Sequence, residues 1–277
     1  MLEKLTYQNH LNETFDFGKD GIYVNAGELH NYAWSVEKRN NRISALRRDV
    51  VTTRKLPVVI ICQDEAAAIT ARNKLFETVE KDVLAGEYGK IILNGYYFRC
   101  FVTQSKKKDY LKSGSRYMQL DLVLTTDRPV WVREEDYRFD YMTPLTKLNH
   151  GVDYPTGYNA DYAPNSVRQW LNNTGIAAAN FQITFYGNAR SPEVVIGGHS
   201  YKLNTTIAEG EYAVIDSITK TITLHKTGGV VENIFSKRNR SSYIFKPIPP
   251  GNNELLLGGD YYVKVKLYDE RSEPLWI

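Results

Sequence analysis

The stretch ELLLGGDYYVKVKLYD, residues 254–269, decides the fold of the second half of this chain of 277 residues. Its Gly-Gly-Asp centre is a turn signal between two short apolar runs. After the turn, Val263, Val265 and Leu267 alternate with two lysines. Strict alternation of this kind is typical of a strand with one buried face, so the stretch predicts a β-hairpin.

The same pattern continues outward through the rest of the second half. From residue 180 onward, short apolar runs follow one another, and turn residues separate them at regular intervals. The runs before the hairpin are NFQITFYG, EVVIGG, HSYKLN, EYAVIDS, KTITLHK, VVENIF and SSYIFKP. Short strands with no helix between them predict a β-sandwich or a jelly roll.

The first half combines strands with one helix. Residues 29–36, 57–62 and 116–126 are apolar or alternating enough to form strands. Asn94-Gly95 lies between two apolar runs, which is a strong signal for a β-hairpin. Together with the helix described next, this order predicts an α+β domain with antiparallel strands.

Residues 65–85 predict the helix. Asp64 is a good N-cap just before this segment, and Gly86 can end the helix after its last turn. The large apolar side chains recur at helical spacing and form one stripe, which we expect to pack on the strands. The stripe consists of Ala68, Ile69, Phe76, Val79 and Val83, and Leu75 lies beside it.

The pattern changes between the two halves. Residues 127–165 carry four prolines and many tyrosines and acids, with little periodicity. This composition is typical of a linker between domains. The sequence therefore predicts a mainly β protein with an N-terminal α+β domain over 1–140, a linker or strap over 141–165, and a β-sandwich domain over 166–277.

Composition and charge exclude several classes of function. The chain is 42% hydrophobic and 24% charged, as globular proteins are, and its net charge of +3 is too small to imply specific nucleic-acid binding. No apolar run approaches the length of a membrane span, and the N-terminus lacks a signal-peptide pattern. We therefore expect synthesis in the cytoplasm and no membrane partner. We expect Cys62 and Cys100 to be free thiols, because two cysteines make no disulfide framework.

No arrangement of residues indicates catalysis. The sequence lacks a P-loop, a GxGxxG after a strand, an HExxH and a GxSxG. Its five histidines are scattered without metal-ligand spacing. We therefore expect no enzyme, no cofactor and no metal. A glycan-cleaving enzyme is the weakest alternative, because it needs two opposed carboxylates that a sequence cannot place.

A sugar-binding protein is the main alternative. Lectins use β-sandwiches, and sugar rings stack on exposed Trp or Tyr side chains. Each candidate could equally lie in the core or in a protein interface, and architecture alone does not establish a lectin. The candidates are Trp170, Tyr186, Tyr201 and Tyr243.

A basic run, EKRNNRISALRRDVVTTRK at residues 37–55, contains seven basic and two acidic residues. It lacks the interleaved aromatic residues of a nucleic-acid arm. We interpret it as a loop that is either solvated or part of a subunit interface, and interfaces favour Arg and Trp. The candidate interface residues are Arg39, Arg42, Arg47, Arg48, Trp131 and Trp276.

Trp276 lies one residue from the end of the sequence. Three roles are open: a disordered tail, a plug that closes an edge of the sandwich, or a contact with another protein. Exposing this side chain is costly, because burying a Trp contributes on the order of 2–3 kcal/mol. Pro274 removes a donor and ends the strand just before it. We therefore expect the plug.

The sequence resembles the distal tail protein (Dit) family of long-tailed bacteriophages. The resemblance covers most of the chain, includes the order of the two domains, and is weaker over residues 1–50. The stretches that carry it are FYGNARSPEVVIGG (185–198), GEYAVIDSITKTITL (210–224), Asn-Ile-Phe (233–235), YIFKPIPPGNNELLL (243–257) and the closing ERSEPLW.

The resemblance implies a structural virion protein and no enzyme. Members of the family form a hexameric ring at the tip of the tail tube through their N-terminal domains, and their galectin-like sandwich domains project outward. For this chain it implies a homohexamer in the phage tail tip, made in the host cytoplasm, that needs no cofactor. Its partners would be the tail tube protein and a tip, fibre or receptor-binding protein of the baseplate. A lectin-like protein that binds host surface glycans stays the alternative.

Overall fold

The computed structural model of the chain describes residues 5–25, 27–48, 51–110, 116–141 and 169–276. It divides into two compact units, the first comprising residues 1–133 with 270–277, and the second residues 134–269. The predicted strap over 141–165 lies outside the described residues, except for Tyr141. The last eight residues, which we assigned to the sandwich, group with the first unit.

The secondary structure of the first half is one α-helix among short and long strands. Its elements in chain order are β1 (Leu5–Gln8), β2 (Thr14–Asp16), β3 (Ile22–Val24), a 3-10 helix (Gly27–His30), β4 (Trp34–Arg39), β5 (Arg42–Arg48), β6 (Thr52–Ile61), α1 (Glu65–Ala85), β7 (Gly89–Leu93), β8 (Tyr96–Tyr110), β9 (Tyr117–Thr126) and β10 (Trp131–Phe139). The predicted strand over 29–36 is therefore a 3-10 helix followed by the start of β4.

The described part of the second half consists of strands and one further 3-10 helix. In chain order they are β11 (Gln169–Asn173), β12 (Asn180–Tyr186), β13 (Ala189–Arg190), β14 (Glu193–Ile196), β15 (His199–Lys202), β16 (Thr206–Ile207), β17 (Tyr212–Asp216), β18 (Thr221–His225), β19 (Val231–Asn233), a 3-10 helix (Phe235–Lys237), β20 (Gly251–Leu257) and β21 (Tyr262–Arg271).

An antiparallel sheet forms the first unit. Its strand order is β2-β1-β7-β8-β9-β6-β3. The long β8 pairs with β7 through its first residues and with β9 through the rest. Asn94 and Gly95 connect β7 to β8 with φ angles of 52° and 78°, the left-handed conformation that a two-residue hairpin turn requires. The predicted hairpin is confirmed.

The helix α1 has the predicted bounds. The Asp64 carboxylate accepts a hydrogen bond from the Ala67 N–H at 2.7 Å, and Gly86 ends the helix in the left-handed conformation with a φ of 68°. Ala71, Leu75 and Val79 belong to the core cluster shared with the sheet. The helix therefore packs this face on the sheet. Such packing contributes most of the stability of a helix in a protein.

The predicted stripe on α1 is wrong at two positions. Ile69 and Val83 are 46% and 44% exposed, whereas Thr78 and Asp82 are buried. The reason is the buried carboxylate of Asp82, which accepts hydrogen bonds from the Tyr7 hydroxyl at 2.6 Å and the His10 N–H at 2.8 Å. These bonds offset the cost of burying a charge, and they rotate the buried face away from the most hydrophobic side chains.

The second unit contains two larger antiparallel sheets and a small pairing of β13 with β16, and all three contribute to one core. The strand orders of the two larger sheets are β19-β18-β17-β12-β21 and β11-β20-β14-β15. Val263, Val265 and Leu267 of β21 are buried, as the alternation predicts, and they join side chains of the other sheet such as Val194 and Leu255 in one cluster. The predicted hairpin over residues 254–269 is wrong, because β20 and β21 lie in different sheets: β20 pairs with β11 and β14, and β21 pairs with β12. The Gly-Gly-Asp turn connects the two layers of the sandwich and does not join two paired strands. The unit is a β-sandwich, and the predicted fold class is confirmed.

The hydrogen bond between the Tyr7 hydroxyl and the Asp82 carboxylate should contribute to the stability of the first unit. Burial and this bond raise the pKa of Tyr7, so its hydroxyl stays protonated and donates to the carboxylate. Replacing Tyr7 by Phe removes a donor from a buried charge, which lowers the free energy of unfolding by about 1.5–3 kcal/mol. Urea unfolding measures the change. The control is Tyr23→Phe at a half-exposed position, and equal stability of the two variants would contradict the role of Asp82.

Candidate assembly interface

The strands β4 and β5 form a hairpin that, among the described residues, pairs with no other strand. Its turn is Asn40-Asn41, with φ angles of 50° and 57°. All of β4 is exposed, and in β5 only Ala45 and Arg48 are partly covered. The basic run that we interpreted as a loop is therefore largely a two-stranded sheet with both faces in solvent.

The β4–β5 hairpin exposes apolar side chains that the sequence reasoning missed. Trp34, Val36, Ile43 and Leu46 are 44%, 47%, 65% and 58% exposed. Val36 lies directly opposite Leu46, so these two share one face. A two-stranded hairpin is marginally stable in water and has no core of its own. Apolar residues concentrated on such an element mark a contact surface.

The four candidate arginines of the basic run all lie on this hairpin. Arg39 and Arg42 face each other across the turn. The Arg47 Nε lies 3.1 Å from the Glu37 carboxylate on the opposite strand. The Arg48 guanidinium lies over the Trp34 ring, 4.8 Å from its centre. The structure thus brings these residues together around the exposed apolar side chains.

Trp131 is not an interface residue. Its side chain is completely buried and belongs to the core cluster of the first unit. The indole N–H donates to the Leu29 carbonyl at 3.3 Å, and the ring contacts Phe98 with 5.4 Å between ring centres. The prediction was wrong because Trp131 begins β10, which pairs with β8.

Trp276 does not close the sandwich. It is 68% exposed, and its ring stacks on His30 of the first unit with 4.3 Å between ring centres. The indole N–H donates to Glu273 at 2.9 Å, and the Asn94 amide donates to the Leu275 carbonyl at 3.2 Å. The plug is therefore wrong, and Trp276 stays a candidate contact on the surface of the first unit.

Replacing each of the two tryptophans by alanine should lower stability by very different amounts. Trp276→Ala removes one exposed stacking contact and lowers the free energy of unfolding by about 1 kcal/mol or less. Trp131→Ala empties a buried site and lowers it by about 3–5 kcal/mol. Chemical unfolding of the two variants measures both values. A large loss for Trp276→Ala would mean that its ring is a core element after all.

The outer face of the sandwich carries a row of stacked aromatic rings. Tyr186 on β12 lies between Tyr212 on β17 and Tyr262 on β21, with ring centres 5.5 Å and 4.6 Å apart. His225 stacks on the far side of Tyr212, and the Arg138 guanidinium lies over Tyr262. Tyr212 and Tyr262 therefore stack on Tyr186 from its two neighbouring strands, which reduces the ring surface that is open to a sugar.

The other sugar-binding candidates do not form a site with Tyr186. Tyr201 is 1% exposed and lies in the core. Trp170 and Tyr243 are exposed, but on separate elements of the second unit, β11 and the segment before β20. Among the described residues, no group of three or more potential metal ligands lies together, and no helix is long and apolar enough to cross a membrane.

Comparison with known proteins gives matches of structure alone. No protein-family model matches the sequence, and no curated protein matches it. The Dit protein of phage SPP1, described as a paradigm of the hub adsorption apparatus in phages that infect Gram-positive hosts, has a TM-score of 0.60 at 10% identity. The match covers 96% of this chain and 99% of the SPP1 protein.

Chains from the baseplate of phage P2 are similar to the same extent. The baseplate in its activated conformation with Ca gives a TM-score of 0.61 at 11% identity, covering 99% of this chain and 100% of the other. The form with Sr gives 0.61 at 10% identity with the same coverage. These matches extend over nearly the whole length of both partners. The chain therefore has the Dit fold that the sequence resemblance predicts.

Proposed function

We propose that the chain is a structural distal tail protein of a bacteriophage. Six copies form a ring at the tail tip that joins the tail tube to the baseplate and its receptor-binding apparatus. The likeness in fold to phage hub and baseplate chains supports this role. The observation that carries the ring itself is the exposed β4–β5 hairpin with its apolar and basic side chains.

The hairpin has the properties of an arm that packs on a neighbouring copy. Ile43 and Leu46 are each more than half exposed, and covering them would contribute about 1–2 kcal/mol apiece. An arm that contacts a different patch on the next subunit makes a heterologous contact. Such contacts close into a ring when the rotation from one subunit to the next is a whole fraction of a full turn. The Arg and Trp side chains around the apolar pair are those that interfaces favour.

The remaining partners follow from the same role. The tail tube protein contacts one side of the ring, and a tip, fibre or receptor-binding protein attaches at the other. The chain acts in the virion, without a cofactor and without catalysis. A glycan-binding protein stays the alternative. The rings of the tyrosine row stack on one another, which leaves less ring surface for a sugar.

The hairpin makes assembly testable in the full-length protein. Ile43→Ser combined with Leu46→Ser removes the apolar pair from an exposed element, so folding is unaffected while assembly is lost. Light scattering coupled to size exclusion should give six chain masses for the parent and one for the variant. Circular dichroism and thermal unfolding should agree between the two.

The matched control is Ile176→Ser, which changes an equally exposed isoleucine in the second unit. This variant should assemble like the parent. A parent that stays monomeric at every concentration would contradict the ring. A double variant that assembles as well as the control would contradict the role of the hairpin.

A further inference from the structure

A pocket of about 280 Å³ in the first unit is lined by two arginines and several hydroxyl and amide groups. The volume is ample for an anion with its waters, since a single water needs only about 10–15 Å³ of such space. We call it the arginine pocket, and the lining residues that matter here are Arg48, Arg54, Thr52, Thr53, Asn31 and Ser272.

Arg54 is a buried cation, and no carboxylate of the described residues pairs with it. It is 8% exposed, and one of its guanidinium nitrogens donates to the Leu29 carbonyl. Its guanidinium also lies over the Phe98 ring, 4.6 Å from the centre. Arginines are almost never this buried unless they are paired, because the charge loses its hydration.

Burial lowers the pKa of Arg54 to about 10, which still leaves the side chain protonated at neutral pH. The cost of the buried charge is therefore present under ordinary conditions. The Leu29 carbonyl occupies one donor of a guanidinium that has five. The remaining donors are available to a group that enters the pocket.

Arg48 supplies a second cation with an unused donor. Its Nε is buried and has no hydrogen-bond partner in the described part of the chain. Another of its nitrogens donates to the Ser272 hydroxyl at 3.2 Å. The Glu270 carboxylate lies 2.5 Å from the Arg128 guanidinium, and its charge also attracts Arg48.

The other polar groups of the pocket are mostly neutral. Thr52 and Thr53 bring hydroxyl groups, and Asn31 brings an amide. Glu28 is the acidic residue of the lining, and one of its oxygens accepts the Lys55 N–H at 3.1 Å. Two cations against one anion leave the lining with a net positive charge.

We propose that the arginine pocket is an oxyanion site that receives a carboxylate or a phosphate group between Arg48 and Arg54. The planar guanidinium group presents paired donors that match both oxyanions, and such charge-assisted bonds are roughly twice as strong as neutral ones. The group comes either from an acidic side chain of a neighbouring copy or from a free anion. The site itself does not depend on assembly.

The test uses inorganic phosphate and acetate as probes of the full-length protein. Both should raise the midpoint of thermal unfolding above its value in chloride at equal ionic strength, because an anion that binds only the folded state stabilises it. In Arg54→Met the effect should disappear, and titration calorimetry should show phosphate affinity reduced about tenfold or more. The control, Arg190→Met at an exposed site of the second unit, should behave like the parent.

Two further measurements keep the proposal falsifiable. In the unassembled protein and without added oxyanion, Arg54→Met should be at least as stable as the parent, because an uncompensated buried charge is removed. If Arg54→Met fails to fold, Arg48→Met provides the same comparison from the edge of the pocket. Equal effects of phosphate, acetate and chloride on the parent would overturn the proposal, as would an undiminished phosphate effect in both variants.

The effect of phosphate on the mass of the protein in solution identifies the source of the oxyanion. If a neighbouring copy supplies the carboxylate, phosphate competes with it and lowers the mass of the complex in solution. If the ligand is a free anion, phosphate stabilises the protein and leaves its mass unchanged. A parent protein that never assembles would remove the first source and the ring together, while the phosphate measurement would still test the site.

Discussion

The proposed assembly role depends on one physical constraint: a two-stranded sheet has no interior. In the β4–β5 hairpin, every side chain of β4 is exposed, and the apolar side chains of Val36, Ile43 and Leu46 face water. The remainder of the first unit has its own core, formed by the antiparallel sheet and the face of α1 around Leu75. In the proposed ring the hairpin would gain stability from a second molecule, which would be the energetic basis of the assembly.

In the proposed ring, the charges of the hairpin would determine which surface of the neighbouring copy it contacts. Arg39 and Arg42 lie at the turn of the hairpin, and Arg48 at its base lines the arginine pocket. Unpaired positive charge at an interface favours acidic groups on the partner and opposes basic ones. Apolar burial would then supply affinity, while the arginines fix which surface of the neighbour fits. Protein interfaces commonly gain affinity from apolar burial and specificity from complementary charges.

Local signals made much of the fold predictable. Asp64 and Gly86 bound α1 through hydrogen bonds within a few residues, and Asn94-Gly95 sets its hairpin through its own backbone angles. The alternation that ends with Leu267 reports directly which face is buried. Each of these features depends on residues that are close together in the sequence, so the local sequence is enough to predict it.

Features that depend on distant partners were not predictable. The buried face of α1 includes Asp82 because Tyr7 and His10 reach it from the first strand and its following turn. Trp276 stacks on His30, a contact that no local pattern encodes. The hairpin at 34–48 was hidden because its many charges masked the alternation, although Asn40-Asn41 is a turn signal that could have revealed it.

The most direct measurement of the central claim is single-particle cryo-electron microscopy of the purified full-length protein. The account predicts closed six-fold rings in which the β4–β5 hairpin of each copy lies against the next one and covers Ile43 and Leu46. Particles without rotational symmetry, or rings in which the hairpin stays in solvent and other surfaces make the contact, would contradict it.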